Sequence, residues 1–368
     1  MKIMISTDYH LSNRLYGLEE LEKDNYKRYN RLIQQAVKEK PDIFIQLGDI
    51  FDTPYPKPIS IKTFEDGLDK LQQHNIKCYG IMGNHTTLQR KNFYPIDKIF
   101  NDKMTLISNS AITIGDICIA GADYHTKTND IKPLIDELYE KSKGSRLKIL
   151  LLHQGLKKDI NIGYDYDEGE LGLDRFDYVL LGHFHKKIHR QSNGTTYHYP
   201  GSLNSCNISE MKEEMLWGRG YSILDTDTCQ LTTHTIEPER QYIEYNITYD
   251  ELNDDFIAEA IKSLKTLSSK PVIQLNITGN GTSNIHQTVQ ELGNYALSVR
   301  YKLTRTETDE ISMPEVSGIA NIEEMLKMSL EEEWQGNLAV ELFRALSIGD
   351  IESASAIAEK VYKEQYET

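Results

Sequence analysis

Five times in the first half of the chain, a short apolar run leads within a few residues to side chains that bind metals. Lys2–Ser6 leads to Asp8 and His10, Asp42–Leu47 to Asp49, and Ile76–Met82 to Asn84 and His85. Leu147–Leu152 leads to His153, and Tyr178–Leu181 to His183 and His185. The set holds two carboxylates, one amide and five of the 11 histidines, with no cysteine. Such donors suit Mn²⁺, Fe²⁺ or Zn²⁺, whereas a closed structural zinc site would use thiolates. They outnumber what one ion needs and fit a dinuclear centre with a shared carboxylate. Two ions about 3.5–4 Å apart can activate a water and polarise a phosphoryl group.

Singly, each element is ordinary. Asp8-Tyr9-His10 is a common pattern, and Gly48-Asp49 and Gly83-Asn84-His85 read alone as turns. His153 reads alone as a buried, hydrogen-bonded histidine. Gly182-His183-Phe184-His185 is more specific, because alternate residues at a strand end point the same way. The ordered series carries the reading. Glycine stands just before Asp49, Asn84 and His183, where a sharp turn or close approach of the backbone excludes a side chain. Tyr9 and Phe184, between ligands, are expected to pack beneath the site.

The elements that must position these groups follow from periodicity. Helical patterns at Asp24–Glu39, Ile61–His74 and Ile131–Lys141 alternate with the apolar runs, and further strands are expected at Leu106–Ile107 and Ile112–Ala120. This predicts an α/β layer architecture, in which sites form beyond the carboxyl ends of the strands. From Lys187 to Ile236 only short strands are expected, forming an antiparallel second sheet. Residues 241–305 read strand, helix, strand, helix, strand, a small α+β unit. Residues 306–318 are polar and linker-like. Apolar stripes (Ile322, Met325, Leu326, Leu330; then Ile351, Ile357, Val361) make the remainder helical.

The chain has 368 residues and a net charge of −15, with 39% hydrophobic and 26% charged residues. That is a soluble globular composition for two or three units. It excludes collagen-like, coiled-coil and wholly disordered chains. No apolar run approaches the roughly 18 residues of a membrane helix, and the N-terminus lacks the features of a signal peptide. Cys78, Cys118, Cys206 and Cys229 are scattered without a CxxC pair, so a reducing cytoplasm is expected. Residues 310–368 hold 13 acids and four bases, which makes the tail a poor phosphate contact.

The ordered series, Asp8-Tyr9-His10, Gly48-Asp49-Ile50-Phe51-Asp52, Gly83-Asn84-His85, His153 and Gly182-His183-Phe184-His185, resembles the calcineurin-like metallophosphoesterases. Gly48–Thr53 (GDIFDT), Leu151–Gly155 (LLHQG), Gly182–Lys186 (GHFHK) and Tyr199–Glu210 (YPGSLNSCNISE) resemble more closely the SbcD family of DNA-repair nucleases, partners of SMC-like ATPases. The motifs span about residues 1–225, and domain order carries the likeness further. The resemblance implies a four-layer sandwich, two facing sheets flanked by helices, over residues 1–238. It implies a small α+β capping, DNA-binding domain at 239–306, a linker at 307–318 and a helical region at 319–368 that grips an SbcC-type ATPase.

By the same resemblance, Asp8, His10 and His185 hold one ion and Asn84, His153 and His183 the other. Asp49 bridges them and holds the attacking hydroxide. His85 sits over the scissile phosphate, stabilises charge and helps the leaving oxygen depart. The implied protein is a Mn²⁺-dependent homodimer, with Fe²⁺, Zn²⁺ and Mg²⁺ as alternatives, in a bacterial or phage-infected cytoplasm. It would cut DNA as an exonuclease on duplex ends and an endonuclease on single strands or hairpins. The rival readings are an enzyme for a small phosphoester, and a scaffold that tethers DNA or the ATPase with a vestigial metal site.

One position departs from the pattern. Many relatives carry an acid after GNH that orients the catalytic histidine; this chain has Thr86, with Asp52 and Asp123 as the available substitutes. Lys186, Lys187, His189 and Arg190, and separately Lys157 and Lys158, are candidates for backbone-phosphate contacts. His125 leaves a strand near the expected crevice.

Overall fold

A computed structural model describes residues 1–86, 95–126, 128–160, 163–280, 285–304, 337–342 and 357. The chain divides into two units, Met1–Thr304 and Arg305–Thr368. The first runs β1 (Lys2–Ser6), α1 (Glu19–Glu39), β2 (Ile43–Gln46), α2 (Pro58–Gln73), β3 (Lys77–Gly80) and β4 (Thr105–Leu106). Then come β5 (Ser110–Ile114), β6 (Ile117–Ala122), α3 (Thr128–Ser142), β7 (Leu147–His153), α4 (Glu168–Leu171) and β8 (Tyr178–Gly182). β9 (Ile188–Ser192), β10 (Thr195–Tyr199), α5 (Ile208–Trp217), β11 (Arg219–Asp225) and β12 (Gln230–Ile236) follow. β13 (Tyr242–Thr248), α6 (Asp254–Leu264), β14 (Val272–Thr278), α7 (Ile285–Gly293) and β15 (Ser298–Thr304) complete it.

Two six-stranded sheets face each other, ordered β12-β11-β1-β2-β3-β4 and β5-β6-β7-β8-β10-β9. Strand alternation explains the layering. Ile3, Ile5, Ile43 and Ile45 point inward and pack against Ile119, Ile149, Leu151 and Leu180 of the other sheet. Met4 and Phe44 point outward to Leu32, Ile33, Phe64 and Leu68 of α1 and α2. On the far side Ala120, Leu150 and Val179 meet Ile131, Ile135 and Leu138 of α3. Central strands buried on both faces read as nearly unbroken apolar runs. This helix–sheet–sheet–helix order is the expected sandwich.

Local differences have local causes. Ile112–Ala120 is not one strand but the hairpin β5–β6, because Gly115 takes φ 62° in a two-residue turn closed by Ile114 and Ile117. The stretch Lys187–Ile236 contains a helix, α5, where none was expected. Asn207 caps it, its side chain accepting from the Glu210 amide at 3.0 Å. Nor do the strands of this stretch form a sheet of their own. β10 joins the second sheet parallel to β8, and β11 joins the first antiparallel to β1.

In the unit from Tyr242 to Thr304 all three strands are parallel, with α6 and α7 as crossovers. The linker at 307–318 and most of the helical region at 319–368 lie outside the described residues. Among described residues, no helix is long and apolar enough to cross a membrane.

Candidate metal centre

The turns that leave β1, β2, β3, β7 and β8 deliver the eight side chains singled out above to one end of the facing sheets. The first two turns are bonded to each other. The Asp8 amide donates to the Gly48 carbonyl at 3.2 Å, and the His10 amide to that of Asp49 at 3.1 Å. Four of the eight residues have left-handed backbone: Asp8 (φ 51°), His10 (43°), Asp49 (49°) and His183 (80°). Each such conformation costs on the order of 1–3 kcal/mol and persists only where its surroundings enforce it. Two glycines are required by space. A Cβ at Gly48, itself at φ 103°, would enter the His153 ring, and one at Gly83 would enter the Asp49 carboxylate.

Two of the sets into which the donor atoms fall share Asp49. Asp8, His10 and Asp49 form one, and Asp49, His153 and His183 another, each with its ligand atoms within 4.8 Å of one another. Asp49 Oδ2 lies 3.9 Å from His10 Nε2 and 3.1 Å from His153 Nε2. Asp8 Oδ1 lies 3.8 Å from His10 Nε2 and 3.7 Å from His185 Nε2. Asn84 Oδ1 lies 3.1 Å from His153 Nε2 and 2.9 Å from His183 Nδ1.

Each ring turns its other nitrogen outward. His10 Nδ1 is 3.3 Å from Asp52, and His183 Nε2 is 3.5 Å from Asp165. His153 Nδ1–H donates to the Leu47 carbonyl at 2.6 Å, and His185 Nδ1–H to Glu210 at 3.0 Å. Outer partners that fix ring orientation in this way accompany metal-binding histidines. His10 and His185 aim their Nε2 atoms at each other, 3.1 Å apart, an arrangement suited to a shared cation.

Electrostatics agree with this. Burial opposes ionisation of Asp8, but its His10 hydrogen bond and the charges of His153 and His185 hold its carboxyl at about 2. Burial likewise works against the Asp49 anion, yet His153 and His10 keep its carboxyl well below the usual range. Against burial, Asp49 lifts His153 to about 9. Buried anions compensated by protons on imidazoles can be compensated by divalent ions, with release of those protons.

His85 is outside the two sets that share Asp49, although its ring lies with His10 and Asp52 in a third group of close donors. Its amide donates to Asp49 Oδ1 at 3.0 Å, and its Nδ1–H donates to the Asp52 backbone carbonyl at 2.7 Å. That leaves Nε2 directed inward, 3.9 Å from Asp49 Oδ2, on a side chain 37% exposed. The orienting group is thus a main-chain oxygen of Asp52. Asp123 binds the Met82 amide and the Ser108 hydroxyl instead. Thr86 turns away and donates to the buried Asp97.

The segment Tyr199–Glu210 works as a strap across the site. Leu203 N donates to the Thr7 carbonyl at 3.1 Å, Asn204 Nδ2 to that of Tyr9 at 2.7 Å, and Ser202 N to that of His185 at 3.1 Å. Arg219 clamps its far side, donating to the His185 carbonyl at 2.9 Å and to Ser202. Sequence reasoning missed Asp165, Glu210 and Arg219. A signal existed for Glu210: Asn207-x-x-Glu210 is a helix-start pattern. Nothing in the sequence marked Asp165.

Most of the expected phosphate-contacting cations are paired within the chain. Lys186 binds Glu213 at 2.7 Å, Lys157 Asp167 at 3.1 Å and Lys158 Glu168 at 2.6 Å. Arg190 binds Asp159 and Glu168 and lies over the Tyr197 ring. His125 lies 3.5 Å from Asn109 and joins no donor set. Tyr9 is fully buried, and Phe184 packs on the second core, as expected.

Comparison with known proteins gives a consistent picture. Residues 1–187 match the calcineurin-like phosphoesterase family. The DNA double-strand break repair protein Mre11 of Methanocaldococcus jannaschii is 28% identical over 276 residues, 72% of this chain and 74% of that protein. Mre11 of Saccharolobus solfataricus is 27% identical over 370 residues, 95% of this chain and 96% of that one. The D component of the nuclease SbcCD of Staphylococcus epidermidis is 26% identical over 292 residues, 71% of this chain and 75% of that one.

Proposed function

The chain belongs to the calcineurin-like phosphoesterase family, and on that premise we propose that it is a metal-dependent nuclease that hydrolyses DNA phosphodiesters. The observation that carries the reading is the pair of donor sets meeting at Asp49, with His85 directed at the same carboxylate. The names of its relatives, DNA-repair proteins and a nuclease component, support DNA as substrate.

In this reading Asp8, His10 and His185 hold one divalent ion, Asn84, His153 and His183 a second, and Asp49 both. The bound ions supply Lewis acidity and an acidified water. Asp52, Asp165, Glu210 and the Leu47 carbonyl orient the imidazoles. His85, with Nδ1–H committed to the Asp52 carbonyl, presents Nε2 to the substrate. There, with the ring doubly protonated, it stabilises charge on the phosphoryl group and hands its Nε2 proton to the leaving oxygen. Mn²⁺ is the proposed working ion. The SbcCD relative supports an SMC-like ATPase partner, for which the helical region at 319–368 is the proposed contact, and a homodimer is the proposed assembly. The unit from Tyr242 to Thr304 is proposed to cap the nuclease domain.

The test compares linear duplex, hairpin and single-stranded DNA with a small chromogenic phosphodiester on one preparation. DNA cleavage that depends on added Mn²⁺ and disappears in Asp49→Asn supports the proposal. Hydrolysis of the small ester alone moves the assignment to a small-phosphoester enzyme. Inactivity on all substrates, in protein that fails to retain metal, indicates a scaffold.

A further inference from the structure

Cys206 was outside the donor series in sequence, since it follows the last of the strand ends that carry ligand types and pairs with no other cysteine. The strap changes its surroundings. The ligand atoms of Cys206, His10 and His185 lie within 4.8 Å of one another. Asp8 Oδ1 is 3.8 Å from His10 Nε2 and 3.7 Å from His185 Nε2, so the sulfur lies beside two of the three donors of one ion position.

The placement is fixed from several sides. The Cys206 amide donates to Glu210 Oε2 at 2.8 Å, while the other oxygen of that carboxylate holds the His185 ring. The preceding Ser205 hydroxyl binds Glu214 at 2.7 Å, and the following Asn207 caps α5. The other cysteines are elsewhere: Cys78 and Cys118 are buried on β3 and β6, and Cys229 is exposed in the turn between β11 and β12. Among the described residues, Cys206 is the cysteine that joins a donor set.

Resting on the metal-centre reading above, we propose that the Cys206 thiol is an additional ligand of the ion held by Asp8, His10 and His185. Its sulfur biases that position toward softer divalent ions such as Zn²⁺ and Co²⁺ over Mn²⁺. The thiol releases its proton to solvent as the sulfur–metal bond forms, with no change in oxidation state. Thiolate is a soft donor that favours Zn²⁺, whereas carboxylate and water favour Mn²⁺. An otherwise nitrogen- and oxygen-donating site thereby acquires a ligand that discriminates between ions. Zinc held there would resist exchange for manganese.

Cobalt reports the contact directly. Full-length protein, stripped of metal and loaded with Co²⁺, is expected to show visible ligand-field bands together with a near-ultraviolet sulfur-to-cobalt charge-transfer band. Cys206→Ser should lose the charge-transfer band and keep the ligand-field bands and cobalt content; Cys206→Ala serves if the serine variant folds poorly. Cys229→Ser should keep both features. In competition, the preference for Zn²⁺ over Mn²⁺ should fall by at least about 10-fold in Cys206→Ser, because the lost donor touches the ion itself and outer partners alone are worth about 10- to 100-fold in affinity. Bound cobalt without the sulfur band in the unaltered protein, or a band that survives in Cys206→Ser, overturns this proposal and leaves the metal centre standing. Failure to bind cobalt at all overturns both.

Discussion

The Glu210 carboxylate accepts the Nδ1–H of His185 at 3.0 Å, and through this contact helix α5 is tied to the metal centre. Glu210 stands in the first turn of α5, and the next residue, Met211, packs with Tyr242 and Val272 of the three-stranded unit. Lys212 adds an ion pair to Glu244 at 2.7 Å. One helix therefore orients a candidate ligand and anchors the unit beside it. Replacing Glu210 by Gln keeps a capping side chain but removes the anion behind His185. Metal affinity should fall about 10- to 100-fold, measured by competition with a chelating dye, with little change in melting temperature. Unaltered affinity would deny Glu210 its orienting role.

Gly83 offers a test of space. A Cβ there would occupy the position of the Asp49 carboxylate and crowd the Asp49 amide. Gly83→Ala should therefore lower metal content and phosphodiesterase activity together. Because the clash falls on a turn beyond the strands, the loss of stability should be about 1–3 kcal/mol, the usual cost of overpacking. Metal content by elemental analysis, set beside denaturant unfolding, checks both halves.

Asp97 gives a pH dependence with a definite sign. Burial pushes its carboxyl up from 3.8 to about 6, against the Thr86 hydrogen bond and with the help of the Asp49 charge. The folded protein therefore holds this proton at pH values where the unfolded chain has lost it. Between about pH 4 and 6 stability should fall as pH rises, and above that range the buried anion costs roughly 3 kcal/mol. Asp97→Asn should flatten this slope and raise the melting temperature at pH 7 relative to the parent. An identical slope in the variant would mean that other groups produce it.

How much of this was legible in the sequence depends on the kind of contact. Strand ends can be read from apolar runs, and glycines before Asp49, Asn84 and His183 mark tight turns, so the convergence of these ligand types was visible. The alternation of apolar runs with helical patterns made an α/β layering legible, while the four-layer form came from the resemblance carried by the motifs. The hairpin at Gly115-Asp116 was hidden because both of its strands are apolar and only two residues separate them. Helix α5 was overlooked because its apolar stripe is weak, with Met215, Leu216 and Trp217 exposed at its end. Outer partners were least legible. Asp165 meets His183, and the Asp52 carbonyl meets His85, through folding of loops that local pattern does not encode. Lys157, Lys158, Lys186 and Arg190 looked available to phosphates because their acidic partners lie 10 to 31 residues away in the chain.

His85 carries the central claim, since it faces the site without belonging to either of the two donor sets that meet at Asp49. The most direct measurement sets His85→Ala beside the parent, both stripped and reloaded with Mn²⁺, on linear duplex and hairpin DNA, with metal content determined on the same samples. The parent should show Mn²⁺-dependent cleavage. The variant should keep its metal and lose cleavage by about 10²- to 10⁴-fold, the range for removal of a general acid. Equal cleavage by a variant with full metal content would contradict the role given to His85.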